Sequence, residues 1–152
     1  MENVKAIVTQ VMKIWRLYKT QQLTLKAAMR LEIPFGLRKL LSRDFMICSL
    51  LKKEMANLYD ALKCCMLDTC ITRPETKMAN VIREDGNLIT TLATIERLHQ
   101  QIYTEYEILL ELVKNSNLNL RIIHQHQKEM NKMASELSEQ ILMSDDLAYD
   151  HS

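Results

Sequence analysis

A repeat of apolar residues at every third or fourth position is the feature that most constrains the fold of this chain. The repeat begins at Val4 and continues through most of the 152 residues, with leucine, isoleucine and methionine as its main members. This spacing collects the apolar side chains on one stripe of an α-helix, whereas a half-buried strand would alternate with a period of two. The sequence therefore predicts an all-α protein.

Three breaks divide the repeat into four helices. They are a segment with Pro34 and Gly36, a second segment around Pro74, and a polar turn at 115–117. The predicted helices span 4–31, 37–70, 74–114 and 118–143, and the second is split near 42–44 if Asp44 caps a new helix. Because short connections place consecutive helices side by side, we expect an antiparallel, up-down-up-down four-helix bundle with long helices.

The composition supports one helical domain. Hydrophobic residues make up 47% of the chain and aromatic residues 5%, and the chain has two glycines and two prolines. So few helix breakers mean few connections, which disfavours disorder and loop-rich β folds. A chain of this length buries enough surface for a core of its own. We expect a domain at 1–143 and an acidic flexible tail at 144–152.

The cysteines and the first helix predict a cytoplasmic protein. The cysteines lack the spacing of a disulfide framework or a zinc site, so we expect free thiols at Cys48, Cys64, Cys65 and Cys70. Charged residues from Lys13 onward interrupt the first helix, which disfavours a secretory signal. No apolar run approaches the length of a membrane span, so no membrane partner is expected.

Charge is distributed unevenly along the chain. The net charge is +1, yet residues 1–50 hold nine Lys/Arg against three Asp/Glu. The basic residues of the first helix are Lys5, Lys13, Arg16, Lys19, Lys26 and Arg30. Because they are spaced along a polar face without a recognition motif, the pattern favours a solvated or internally paired face over a phosphate-binding surface.

The sharpest candidate site is the pair Glu96 and His99 in the third helix. Their spacing brings a carboxylate and an imidazole to the same helix face. If the helices are level, Glu54 of the second helix and His126 of the fourth lie at a similar height, beside Gln21 of the first. Such a layer resembles one half of the site in ferritin-like carboxylate-bridged metal proteins, and the resemblance implies a transition metal ion.

The chain departs from the ferritin-like pattern at two points. The first helix has no acidic residue between Asn3 and Leu31, and Ile123 stands where a glutamate would precede His126 by three residues. A dinuclear centre is therefore not expected, and the remaining metal hypothesis is a single ion held by Glu54, Glu96, His99 and His126. The competing interpretation, which the sequence favours, makes His99 a hydrogen-bonded core residue and gives the protein no cofactor.

The sequence offers no catalytic pattern. It has no marked nucleophile beside a base and no Gly-rich phosphate loop, so enzyme activity has no positive support. The leading hypothesis is a non-enzymatic helical bundle that acts through protein–protein contact, including self-association as a homo-oligomer. Trp15 and Tyr103 are candidate contact residues. The alternatives are a ferritin-like metal-binding bundle and a nucleic-acid accessory protein that uses the basic first helix.

Overall fold

The fold is an all-α bundle of four helices. The computed structural model describes residues 2–64, 87–114, 116 and 120–150, with side chains described for 4–63, 87–114, 116 and 120–143. The helices are α1 (Glu2–Met29), α2 (Phe35–Cys64), α3 (Leu88–Val113) and α4 (Leu120–Asp150). Within these ranges no strand occurs. The prediction of an all-α four-helix bundle is confirmed.

Local side-chain contacts account for two of the helix ends. Pro34 precedes the first residue of α2, as expected of a residue that cannot continue a preceding helix. The Arg38 guanidinium donates to the carbonyl oxygen of Met29 at 2.6 Å and so satisfies an acceptor that the end of α1 leaves open. At the start of α3, the Asn87 side chain accepts from the backbone N–H of Ile89 at 3.0 Å, which is an N-cap.

Helix α2 runs without interruption through the position where a break is predicted. Asp44 lies within it and is fully buried, so this carboxylate sits on the apolar stripe and caps no helix. Helix α4 extends to Asp150, and the backbone at 144–150 is therefore helical. The flexible tail stays a prediction. The part of the predicted second and third helices that falls in 65–86 lies outside the described residues.

Side-chain contacts fix the direction of α1 relative to α3. Gln10 near the start of α1 contacts Glu105, and Gln21 near its end contacts Ile95. As the residue number rises along α1, the partner number falls along α3, so the two helices are antiparallel. Helices α1 and α2, joined by the short link at 30–34, are antiparallel too.

The same test places α4 antiparallel to α2. Arg43 pairs with Glu136, and eleven residues later in α2 the Glu54 carboxylate contacts His126. Both α2 and α3 therefore run opposite to α1 and parallel to each other. The directions along the chain are up, down, down and up.

This order differs from the predicted up-down-up-down order, and the difference has a physical reason. The prediction assumes short connections, which join neighbouring helix ends. The end of α2 and the start of α3 instead lie at opposite ends of the bundle. Helix α1 packs against both α2 and α3, whereas α4 packs against α3 and more sparsely against α2.

The four apolar stripes meet in one core. Its largest fully buried apolar side chains include Ile14, Leu25, Leu41, Met55, Ile95, Ile102 and Leu109. Burying a side chain of this size stabilises the fold by about 1.5–3 kcal/mol before entropy is subtracted. The packed core holds its buried polar groups at fixed positions.

Candidate functional site

A chain of four hydrogen-bonded side chains crosses the core, with one member from each helix. The phenolic oxygens of Tyr18 in α1 and Tyr106 in α3 are 2.6 Å apart. The Tyr106 oxygen is 2.8 Å from Nδ1 of His126 in α4. The other ring nitrogen, Nε2, contacts a carboxylate oxygen of Glu54 in α2. We call these four side chains the polar layer.

The polar layer leads from solvent to the centre of the bundle. The side chain of Glu54 is 40% exposed, that of His126 is 1% exposed, and both tyrosines are fully buried. Glu54 lies where α2 meets α4, the sparsest of the packed helix pairs. The exposed carboxylate therefore connects three enclosed polar groups with the surface.

The donors and acceptors of the polar layer form one consistent sequence. A carboxylate only accepts, so Nε2 of His126 carries the hydrogen and donates a hydrogen bond to Glu54. Nδ1 is then the acceptor for the Tyr106 hydroxyl. The Tyr106 oxygen in turn accepts from the Tyr18 hydroxyl. In this assignment every polar hydrogen of Tyr18, Tyr106 and the His126 ring has an acceptor.

Burial keeps the enclosed members of the polar layer neutral. Desolvation raises the pKa of both Tyr18 and Tyr106 above the usual value for a phenol. Desolvation also lowers the pKa of His126, and the Glu54 carboxylate only partly opposes that shift. The arrangement is therefore a neutral hydrogen-bonded chain that ends on a carboxylate.

A second polar contact links α1 and α3 near the polar layer. Gln10 Nε2 donates to both the backbone oxygen and the carboxylate of Glu105, at 2.9 and 2.6 Å. The Lys13 ammonium lies 3.0 Å from the other carboxylate oxygen. The buried Glu105 carboxylate is thus fully paired.

Other buried polar side chains carry atoms that lack such partners within the described residues. No hydrogen bond to a described residue is made by either ring nitrogen of His99, by either carboxylate oxygen of Asp44 or by the Gln21 side-chain oxygen. The closest cation to Asp44 is Arg43, whose Nη2 lies 3.9 Å from a carboxylate oxygen. Burial lowers the pKa of His99 to about 4 and raises the pKa of Asp44 to about 7, the latter against the opposing effect of Arg43.

The structure brings together two of the four predicted metal ligands. Glu54 and His126 are in contact, as their similar height in the bundle predicts. His99 is buried in the core, and Glu96 lies on the outer side of α3, against α4. Among the described residues, no group of three or more His, Cys, Asp or Glu side chains could hold a metal ion. The four-ligand set does not assemble there.

The structure agrees in part with the interpretation of His99 as a hydrogen-bonded core residue. The side chain is buried, as predicted for a core residue, but it is not hydrogen-bonded to any described residue. The hydrogen-bonded core histidine is instead His126.

Sequence reasoning missed the two tyrosines of the polar layer. Tyr18 and Tyr106 lie on the apolar stripes, and the spacing of the stripes predicts only that they are core residues. A signal was present, because a buried tyrosine hydroxyl requires a hydrogen-bond partner. Two tyrosines on core stripes at the height of a histidine and a glutamate indicate a shared network.

A shallow groove follows the outer boundary between α3 and α4. It has a volume of about 310 Å³ and is lined by Ala93, Glu96, Arg97, Gln100, Ala134 and Ser138. We call it the α3–α4 groove. Two exposed apolar residues lie one helical turn beyond the residues that line the groove. Ile89, four residues before Ala93, is 78% exposed. Leu142, four residues after Ser138, is 65% exposed.

Several basic residues of the first 50 positions are engaged within the fold. Lys13 pairs with Glu105, Arg43 with Glu136, and Arg38 with the end of α1. The half-buried Trp15, a predicted contact residue, has the Lys19 ammonium 5.4 Å from its ring centre. The predicted contact residue Tyr103 is half-buried too.

Comparison with known proteins gives no relative: no family model matches the chain, and no curated protein or solved structure shows a significant match. In the described ranges, no helix combines the length and apolar character that crossing a membrane requires.

Proposed function

We propose that the protein is a non-enzymatic helical bundle that acts through protein–protein contact, and that its partner is a second copy of the same chain. The observation that carries this proposal is the α3–α4 groove with the exposed Ile89 and Leu142 at one end. We further propose the cytoplasm as its compartment, in keeping with the free buried Cys48.

The shape of the groove suits a packed helix. Ala93 and Ala134 are small, so a helix of a partner can approach the backbone closely. Ile89 and Leu142 supply apolar surface that water otherwise contacts. Burying two such side chains stabilises a complex by roughly 25 cal/mol for each Å² removed from water, before the entropic cost of association.

The charges in the groove suit a symmetric contact. Glu96 and Arg97 are adjacent, and neither forms an ion pair or hydrogen bond with a described residue. In a two-fold dimer the same patch meets itself, so a group near the axis faces its neighbours on the other copy. Glu96 of one copy then pairs with Arg97 of the other, which favours a second copy over a partner of one charge sign.

Sedimentation velocity over a range of concentrations tests this proposal. We expect a dimer that dissociates on Ala93→Arg, because the larger side chain fills the groove. Glu96→Arg and Arg97→Glu each weaken the dimer by like-charge contact, and the double exchange restores it. Asn57→Arg, an exposed position on α2, is the matched control and leaves the dimer intact.

Two outcomes would contradict the proposal. One is a monomer at every concentration. The other is a dimer that survives Ala93→Arg but is lost on Met46→Lys, since Met46 and Leu50 are exposed on α2 and would then form the contact.

The alternative as a nucleic-acid accessory protein has weaker support. Lys13, Arg38 and Arg43 have partners within the fold and are less available for phosphates.

The ferritin-like alternative draws support from the direction of the helices, because one long connection between the second and third helices also occurs in ferritin-like bundles.

A further inference from the structure

The polar layer presents three donor atoms in a row inside the core. These atoms are Oη of Tyr18, Oη of Tyr106 and Nδ1 of His126, with separations of 2.6 and 2.8 Å between successive atoms. Two ligands at right angles on an ion with bonds of about 2 Å are about 2.8 Å apart. The three atoms are held at hydrogen-bond distances, and these distances are also close to those between neighbouring ligands of one ion.

We propose that Tyr18, Tyr106 and His126 bind a ferric ion in the core of the bundle, with Glu54 holding the His126 ring in place. This site differs from the predicted set, because its two oxygen ligands are phenolates and Glu54 is not a direct ligand. It also stands apart from the proposed self-association, since the α3–α4 groove lies on the outer surface.

The contact between His126 and Glu54 is the one that a metal-binding histidine requires. Such a histidine almost always donates its other ring N–H to a carboxylate or carbonyl, which fixes the ring and its tautomer. Here Nε2 contacts Glu54 and Nδ1 faces the two phenols. Nδ1 accepts from the Tyr106 hydroxyl, and loss of that proton on binding would free its lone pair for the ion.

Charge selects a trivalent ion over a divalent one. Binding forms two phenolate–iron bonds and one nitrogen–iron bond, and the two phenolic protons leave for solvent. The two phenolates and the Glu54 carboxylate then carry three negative charges, which a ferric ion balances. Phenolate oxygen is also a hard donor, and hard donors suit a small, highly charged cation better than a soft one.

In this proposal the ion approaches from the exposed end of the polar layer at Glu54. The Glu54 side chain is 40% exposed at the junction of α2 and α4, where the packing is sparsest. Without the ion, the four side chains satisfy each other through hydrogen bonds. The fold therefore does not require the ion, which can bind after folding.

Titration of the full-length protein with ferric nitrilotriacetate tests the proposal. We expect one ion per chain, release of two protons per ion, and a visible absorption band from charge transfer between phenolate and iron. Tyr18→Phe and Tyr106→Phe each abolish or shift the band. Tyr59→Phe, which alters a buried tyrosine outside the polar layer, is the matched control and keeps it. Glu54→Gln keeps the band and weakens binding by 10-fold to about 100-fold.

Several results would overturn the site. Wild-type protein with no band, a band that persists in both layer variants, or equal affinity for Zn²⁺ at the same residues would each do so. If a tyrosine variant does not fold, resonance Raman spectra of the wild-type complex decide the matter, since phenolate vibrations are either enhanced or absent. Loss of self-association would leave all of these readouts unchanged.

Discussion

The core contains two kinds of buried polar group, and they tolerate burial in different ways. In the polar layer, hydrogen bonds connect each polar atom to the next. His99 and Asp44 have no hydrogen bond to a described residue, and their shifted pKa values favour the uncharged forms. An enclosed polar group thus either finds a partner or gives up its charge. The first solution stabilises the fold at all moderate pH values, whereas the second makes stability depend on pH.

The largest effect on the free energy of unfolding is expected from a substitution of Asp44. Its pKa is about 7 in the folded protein, against about 3.9 in an unfolded chain. The folded state therefore binds more protons between these values, and stability falls as the pH rises from about 4 to 7. Asp44→Asn removes this slope. We expect the variant to be more stable than wild type by up to about 4 kcal/mol at pH 8 and nearly equal to it at pH 4.

Urea unfolding of both proteins at several pH values measures this difference. Asp60→Asn, which alters an exposed carboxylate of the same helix, serves as the control and should leave the slope in place. A difference between Asp44→Asn and wild type that stays constant from pH 4 to 8 would show that Asp44 is charged when folded.

The next largest effect on the free energy of unfolding is expected when the central link of the polar layer is removed. Tyr106→Phe deprives the Tyr18 hydroxyl of its acceptor and His126 Nδ1 of its donor, which costs about 1–3 kcal/mol of unfolding free energy at pH 7. Tyr18→Phe removes only the first donor and costs about 0.5–1.5 kcal/mol. Thermal or urea unfolding of the two variants compares these values. An equal or larger loss for Tyr18→Phe would reverse the donor order that we assign.

The smallest effect on the free energy of unfolding at pH 7 is expected from a substitution of His99. His99→Leu removes two unsatisfied polar atoms, and we expect a gain of about 1 kcal/mol, limited by imperfect packing of the new side chain. The pKa of His99 is about 4 when folded and about 6.5 when unfolded, so wild type loses stability as the pH falls through this window. His99→Leu lacks that loss.

The same unfolding series between pH 4 and 7 measures this effect. Exposed His124 provides the control, and His124→Leu should leave the acid dependence unchanged. If wild type and His99→Leu lose stability equally on acidification, His99 is solvated or paired in solution.

The sequence was sufficient to predict the helices but only half of the site. Apolar spacing reports which face of a helix is buried, so the stripes could be anticipated. The contact of Glu54 with His126 followed from the further assumption that the helices are level. The roles of Tyr18 and Tyr106 could not be anticipated, because a tyrosine on a stripe has the same spacing whether its hydroxyl is used or not. Helix direction also escaped prediction, since a stripe has the same spacing whichever way its helix runs in the bundle.

The parallel course of α2 and α3 divides the bundle into two helical hairpins. Within each hairpin the contacts join residues close in sequence, so loop closure costs little and each half can begin to form alone. The halves recognise each other through side chains, above all where α1 meets α3. The specificity of assembly therefore lies in a non-covalent interface inside one chain, much as two subunits select each other.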